Sequence, residues 1–192
     1  GFIPWDDDMD ISMFDEDYRK LEKILVRMDD EDYFYQCIKS DPEHVNVFGK
    51  FRKKNDPVFA ADQRSKYFKY QGVGLDVFSL EKSNRFAAHM AKFLYQNLIH
   101  PTQYIKNRFW RHFAIKSVQL LNFGLLIPLC RLIGHINHKG QYRYKLGSGF
   151  YQCGFSAEDI LPLRTMEFEG IEFPVPGNTD AYLTKIYGDW RK

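Results

Sequence analysis

The chain has 192 residues, 44% of them hydrophobic and 17% aromatic, which is enough for one domain with a sizeable packed core. Its 27 basic and 25 acidic residues give a formal net charge of +2, so no basic surplus indicates non-specific nucleic-acid binding. The three cysteines, Cys37, Cys130 and Cys153, form neither a CxxC zinc pair nor a dense disulfide framework. We therefore expect buried free thiols and a cytoplasmic protein.

The first part of the chain predicts strands around a single helix. Residues 8–11 alternate polar and apolar side chains, as a short strand does, and the three-to-four spacing of apolar residues over 16–28 predicts a helix with Asp15 or Asp17 as its cap. Further β-rich runs occupy 33–38, 45–52 and 73–80, and turn-forming residues lie between them.

Helical patterns dominate the second part, over 83–136, with a break at His100-Pro101 and kinks expected near Gly124 and Pro128. Residues 167–173 predict a tight hairpin, and 179–187 predict a last helix capped by Asn178 or Thr179. Strands come first and helices later, which is typical of an α+β fold with a small mixed sheet and a helical lobe.

One stretch within the helical part combines basic and aromatic side chains. An amphipathic helix there could touch a membrane-borne acceptor, but aromatics packed inward are the simpler interpretation. The apolar run over 118–133 is shorter than the ~20 residues of a membrane span and contains Pro128 and Arg131, so we expect a core or interfacial helix. The mixed residues are Lys106, Arg108, Phe109, Trp110, Arg111, Phe113 and Lys116.

The sharpest chemical feature is the acidic run near the start. Asp8 and Asp10 lie two residues apart in a predicted strand, so their carboxylates project side by side and repel each other unless a cation lies between them. Oxygen ligands alone select Mg²⁺ or Mn²⁺, which typically bind one or two carboxylates plus substrate phosphates. Asp76 lies inside an apolar strand and is the natural third carboxylate, since charges there need a partner.

Four other interpretations stay open at this point. The acidic run could be solvated surface, or it could cap the following helix. A calcium loop fits Asp6, Asp8 and Asp10 as the first three ligands of an EF-hand, but Ile11 stands where that loop requires Gly. His135 and His138 have the spacing of a metal pair on a helix end, although no third ligand is evident.

Several blocks of the sequence together resemble the LicD family. The first runs from Gly1-Phe2-Ile3-Pro4-Trp5-Asp6-Asp7-Asp8-Met9-Asp10-Ile11 into Asp17-Tyr18 and Lys20-Leu21. Further blocks are Lys50-Phe51-Arg52, Gly74-Leu75-Asp76-Val77-Phe78, Phe168-Glu169-Gly170, Val175-Pro176 and the ending Tyr182-Leu183-Thr184-Lys185-Ile186-Tyr187-Gly188-Asp189-Trp190. The family groups bacterial phosphocholine transferases with fukutin-related phosphoribitol transferases.

The resemblance implies a nucleotidyltransferase-type fold over residues 1–192. It also implies a metal site of Asp8 and Asp10, with help from Asp6, and Asp76 as the third carboxylate. Lys50 and Arg52 alternate onto one strand face and would bind phosphate, unless they are merely a charge pair on an edge strand. The family usually has a helix with a phosphate-binding turn before the opening block, so we expect the sequence to begin in the middle of a fold.

The resulting hypothesis is a metal-dependent phosphotransferase. It would move a phospho-alcohol from a CDP-alcohol onto a glycan or glycolipid, with possible peripheral contact at the inner face of the membrane, and would bind no nucleic acid. Asp76 or Asp6 would position or deprotonate the acceptor hydroxyl. The alternatives are a nucleotidyltransferase acting on a small acceptor and a catalytically inactive binding module.

Overall fold

The computed structural model describes residues 9–57, 65–148 and 153–191. Its strands and helices are β1 (Met9–Phe14), α1 (Asp15–Leu25), β2 (Tyr33–Gln36), β3 (Gly49–Pro57), β4 (Gly72–Lys82), α2 (Arg85–Leu94), α3 (Arg108–Leu121), α4 (Ile127–His135), β5 (Tyr142–Tyr144), α5 (Ala157–Ile160), β6 (Arg164–Phe168), β7 (Ile171–Val175) and α6 (Thr179–Tyr187). Strands around a single helix come first and a helical part follows, as predicted, but the strand β5 lies where the sequence predicted a connection.

A five-stranded mixed sheet forms the centre of the fold. Its order is β1-β4-β3-β2, with β5 pairing the far end of β4. Strands β1 and β4 run parallel, and the other pairs are antiparallel. The mixed α+β arrangement is therefore confirmed, whereas the nucleotidyltransferase type of the fold stays a prediction.

Helix α1 covers one face of the sheet, because its apolar stripe packs on residues that alternate onto that face. Tyr18 of α1 is buried against Tyr35 of β2 and Val77 of β4. On the opposite face an aromatic cluster joins the sheet to α5 and α6. Its buried members are Phe48, Phe78, Leu80, Tyr144, Phe155 and Ile160, with Tyr182 and Ile186 of α6 against them.

The helical lobe consists of α2, α3 and α4. A π-helical segment, Tyr95–Ile99, and a 3-10 turn, His100–Tyr104, separate α2 from α3, so the break expected at His100-Pro101 is present. Another π-helical segment, Asn122–Leu126, joins α3 to α4 near the expected kink. The run Arg108–His135 is 28 residues long, and by length and composition alone it is apolar enough to cross a membrane; 28% of its most apolar window is buried. The helical run is therefore longer than the apolar stretch over 118–133, and its length alone does not exclude a span.

Three local predictions also differ from the structure. Strand β3 begins at Gly49 and not at Val45, because Val45 packs into the helical lobe with Ile99 and Ile115. Neither Asp15 nor Asp17 caps α1; Phe14 occupies that position without a side-chain bond, because β1 runs directly into the helix. The aromatics of α3 do not pack inward: Phe109, Trp110 and Phe113 are exposed.

The C-terminal predictions are confirmed. Strands β6 and β7 form the expected hairpin, and its turn places Glu169 and Gly170 at positive φ. The side chain of Asn178 accepts a hydrogen bond from the Ala181 amide and caps α6. Cys37 and Cys130 are buried and Cys153 is partly buried, all three as free thiols.

Candidate active site

One row of polar side chains crosses the sheet on the face opposite α1. Asp10 of β1 pairs in register with Asp76 of β4, Asp76 pairs with Lys50 of β3, and Lys50 pairs with Gln36 of β2. Side chains directly opposite on neighbouring strands point to the same face, about 5 Å apart. The strand pairing therefore brings together residues that are 66 positions apart in the sequence.

Within this row, Asp76 and Lys50 form a close ion pair. The Lys50 Nζ lies 2.5 Å from the Asp76 Oδ1, and the side chain of Asp76 is only 8% exposed. Burying a carboxylate is costly without a counter-charge, and Lys50 supplies that charge from the adjacent strand. Asp10, by contrast, is exposed to solvent.

Arg52 lies two residues further along β3 and takes part in a buried network. Its Nε donates to the Gln36 Oε1 at 2.6 Å, its guanidinium also donates to the Gly72 carbonyl at 2.8 Å, and the Gln36 amide donates to Asp41 at 2.7 Å. Burial lowers the pKa of Arg52, while the charges of Asp76 and Asp41 act against that shift. Strand β3 lies inside the sheet, so the edge-strand interpretation of Lys50 and Arg52 is wrong.

Three hydroxyl groups that sequence reasoning missed adjoin the row. Ser12 lies two residues after Asp10 on the same strand face and bonds with Tyr144 and Tyr182. Burial raises the pKa of Tyr182, and the nearby charge of Asp10 acts in the same direction. The Tyr144 and Tyr182 hydroxyls lie 3.1 Å apart. The only sequence signal for this contact was that Tyr182 opens the last block resembling the LicD family.

The other predicted metal ligands have different outcomes. Asp6 and Asp8 lie outside the described residues, and within the described ranges no group of three or more His, Cys, Asp or Glu side chains could hold a metal ion. The calcium-loop alternative is wrong, because Ile11 lies within the extended strand Met9–Phe14, at the position where that motif requires a sharp turn. His138 accepts a hydrogen bond from the Gly140 amide, which closes a turn.

A cleft of about 490 Å³ lies away from this row, beside α1 and the start of β3, and it contains none of Asp10, Asp76 and Lys50. Several of its cations are already paired: Arg131 with Glu81, Lys145 with Asp15, and Lys39 with Glu22. Because its charges are largely compensated, the carboxylate row is the stronger candidate for phosphate chemistry.

The fold and the row together define a class of protein: a mixed α+β domain with adjacent carboxylates and a lysine on one sheet face. Among curated proteins, the chain is similar to the lipopolysaccharide cholinephosphotransferase LicD of Haemophilus influenzae. The two are 25% identical over 210 residues, and the alignment covers 100% of this chain and 76% of that protein. No family model matches the chain, and no solved structure matches it significantly. The full-length similarity supports a relationship to the LicD family.

Proposed function

We propose that the protein transfers a phospho-alcohol of the phosphocholine or phosphoribitol class from a CDP-alcohol to a hydroxyl of a cell-surface glycan. The observation that supports this most directly is the in-register pair Asp10 and Asp76, with Lys50 beside it. Similarity to a lipopolysaccharide cholinephosphotransferase supports a transferase, with choline phosphate and lipopolysaccharide as the kinds of donor group and acceptor.

Two described residues support a divalent cation as part of this proposal: Asp10 and Asp76 offer carboxylate oxygens on neighbouring strands, the kind that Mg²⁺ and Mn²⁺ prefer. The proposed ligands are these two residues and Asp8. Such a cation, when bound, supplies positive charge for the diphosphate and for the CMP leaving group. Lys50 compensates the charge of Asp76. In this proposal its ammonium group also contacts a phosphate oxygen of the donor.

In the proposed reaction the acceptor oxygen attacks the phosphorus that carries the alcohol. The bond between that phosphorus and the oxygen of CMP breaks, and CMP leaves with the bond electrons. The hydroxyl proton passes to a carboxylate, for which Asp6 and Asp76 are the candidates. Because Asp76 is already ion-paired with Lys50, its main proposed role is to bind the cation, and Asp6 is the better candidate for the proton.

The test is transfer from CDP-choline, CDP-ribitol and CDP-glycerol in the presence and absence of Mg²⁺. We expect Asp10→Asn and Asp76→Asn each to reduce turnover by at least about 100-fold, since each removes a charge opposite the transferred phosphoryl group. Asp29→Asn changes an exposed aspartate outside the site and serves as the control. Full activity of either site variant would contradict the proposed site.

The same assay distinguishes the alternatives. A nucleotidyltransferase would attach the nucleoside monophosphate to the acceptor and would release no CMP from a CDP-alcohol. A binding module would show metal-dependent affinity for the CDP-alcohol without turnover. We expect CMP release coupled to labelling of the acceptor by the alcohol phosphate.

A further inference from the structure

The outward side of the long helical run Arg108–His135 is apolar along its length. In α3, Phe109 is 70% exposed and Leu120 is 78% exposed; in α4, Leu132 is 66% exposed. Phe113, Leu125 and Leu129 are exposed between them. At 1.5 Å per residue the run is about 42 Å long. Exposed apolar residues on an ordinary protein surface are scattered singly, whereas these follow one side of the whole run.

The inner side of the same run is attached to the rest of the fold by polar side chains. Arg111 is buried and bonds to Glu43 at 2.9 Å, Gln119 donates to the His44 carbonyl at 3.1 Å, and Arg131 bonds to Glu81 at 3.0 Å. A membrane-spanning orientation would remove these groups from their partners and place them in hydrocarbon, which is strongly unfavourable. The run can therefore meet a bilayer only side-on, with its apolar side.

The adjacent helix α2 widens this apolar face. Its inner alanines, Ala87 and Ala91, pack against Ile127 and Cys130. On its outer side, Phe86 and Phe93 are about 60% exposed, at 61% and 60%. Both of these packed helices therefore expose large apolar side chains to solvent.

The charge distribution indicates what kind of partner this is. Eleven of the 27 Lys and Arg residues, and none of the 25 Asp and Glu residues, lie in the segment from Lys82 to Ala157. Lys116 is exposed. It follows Phe113 by three residues and precedes Leu120 by four, so all three lie on the same side of α3. Lys106 and Arg108 are exposed at the start of the helix, next to Trp110.

We propose that the outward face of α2, α3 and α4 binds the surface of a lipid bilayer that carries anionic lipids. The apolar side chains would enter the boundary between headgroups and acyl chains, while Lys106, Arg108 and Lys116 contact lipid phosphates. A protein partner would need its own acidic groups opposite Lys106, Arg108 and Lys116, whereas an anionic bilayer supplies that charge everywhere. This inference does not depend on the proposed transferase activity.

The test is flotation of the full chain, without donor or metal, on phosphatidylcholine vesicles with and without phosphatidylglycerol. We expect binding that requires phosphatidylglycerol and weakens as salt rises. The double change Leu120→Gln and Leu132→Gln should reduce binding by about tenfold or more, because it removes apolar side chains from the proposed contact. The double change Lys106→Gln and Lys116→Gln should also reduce it by at least about tenfold, since each cation contributes roughly fivefold.

Ile24→Gln with Ile171→Gln is the matched control, because both isoleucines are exposed and both lie outside the helical lobe. All the changed side chains are exposed, and thermal unfolding verifies that each variant folds. The proposal is overturned by an absence of flotation on anionic vesicles, or by equal flotation of the Leu variant and the control. It is also overturned if the Leu change abolishes self-association of a chain that does not bind vesicles, since the face would then join two copies.

Discussion

Asp76 is a charged residue inside an otherwise apolar strand, and its environment explains why it can lie there. Asp76 has one neighbour on each side in the row: Lys50 on β3 and Asp10 on β1. Lys50 compensates the buried charge of Asp76, and the exposed carboxylate of Asp10 lies on the other side of Asp76. In the proposed metal site, Lys50 would compete with the cation for the same oxygen of Asp76.

This competition can be measured with Lys50→Met. Without divalent ions, the free energy of unfolding should fall by about 2 kcal/mol, because the variant leaves the Asp76 carboxylate uncompensated. Added Mg²⁺ should then stabilise the variant more than the wild type, as the ammonium group no longer competes. Urea denaturation with and without Mg²⁺ gives both values. Lys53→Met changes an exposed lysine on the same strand and is the control. An equal stabilisation by Mg²⁺ in the wild type and both variants would contradict competition for the Asp76 oxygen.

At the level of secondary-structure elements, the side chain of Asn84 bonds both to the start of α2 and to the end of α4. The Asn84 side chain accepts a hydrogen bond from the Ala87 amide at the start of α2. Its amide group donates to the carbonyls of Ile133 and Ile136 at the end of α4, both at 2.7 Å. Gly134 permits this close approach, because a Cβ there would lie 3.3 Å from the Cβ atoms of Ala87 and Ser83.

Asn84 should therefore contribute more stability than an ordinary cap. We expect Asn84→Ala to lower the free energy of unfolding by about 2 kcal/mol, roughly one from the cap and the rest from two carbonyls left without their donor. Asn107 caps α3 through one bond to the Trp110 amide, so Asn107→Ala should cost only about 1 kcal/mol. Chemical denaturation compares the two variants, and equal losses would show that the link to α4 contributes nothing.

For the whole molecule, the segment from Asp41 to Phe48 joins the sheet to the helical lobe. Asp41 bonds to Gln36 of the sheet, whereas Glu43 and the His44 carbonyl bond to α3. The His44 ring is fully buried, and its Nε2 lies 2.8 Å from the Phe48 carbonyl. Burial lowers the pKa of His44 to about 4.

This shift predicts how stability depends on pH. The unfolded chain protonates His44 near its ordinary pKa of about 6.5, and the folded protein does so only near 4, so the unfolded state gains stability as the pH falls between these values. Wild-type stability should therefore decrease by about 3 kcal/mol over this range through His44 alone, and then level off below pH 4. His44→Gln should remove this part of the decrease.

Urea denaturation at a series of pH values from 7 to 4 provides the measurement. The other titrating groups are shared by wild type and variant, so the difference between their curves isolates His44. His89→Gln changes an exposed histidine and should leave the curve unaltered. Parallel curves for the wild type and His44→Gln would contradict the assigned burial effect.

Local sequence patterns sufficed wherever the determining interactions are themselves local. The apolar strand β4, the cap at Asn178 and the turn at Glu169-Gly170 depend on neighbours within a few residues, and each was predicted. The sequence also singled out Asp76, because a charge within an apolar strand needs a partner wherever the strand lies. It could not identify Lys50 as that partner, since the contact requires the register between β3 and β4.

The sequence alone predicted the main strands and helices, the carboxylate Asp76 within an apolar strand and the resemblance to the LicD family. The fold was needed to show that β3 is interior, that Val45 belongs to the helical lobe and that the aromatics of α3 are exposed. The physical reason is that apolar periodicity predicts a helix with one apolar and one polar side, but it does not determine which of the two is buried in the fold. In α3 the buried side carries Arg111 and Gln119, whose partners lie on the segment after β2, and the apolar side is left outward.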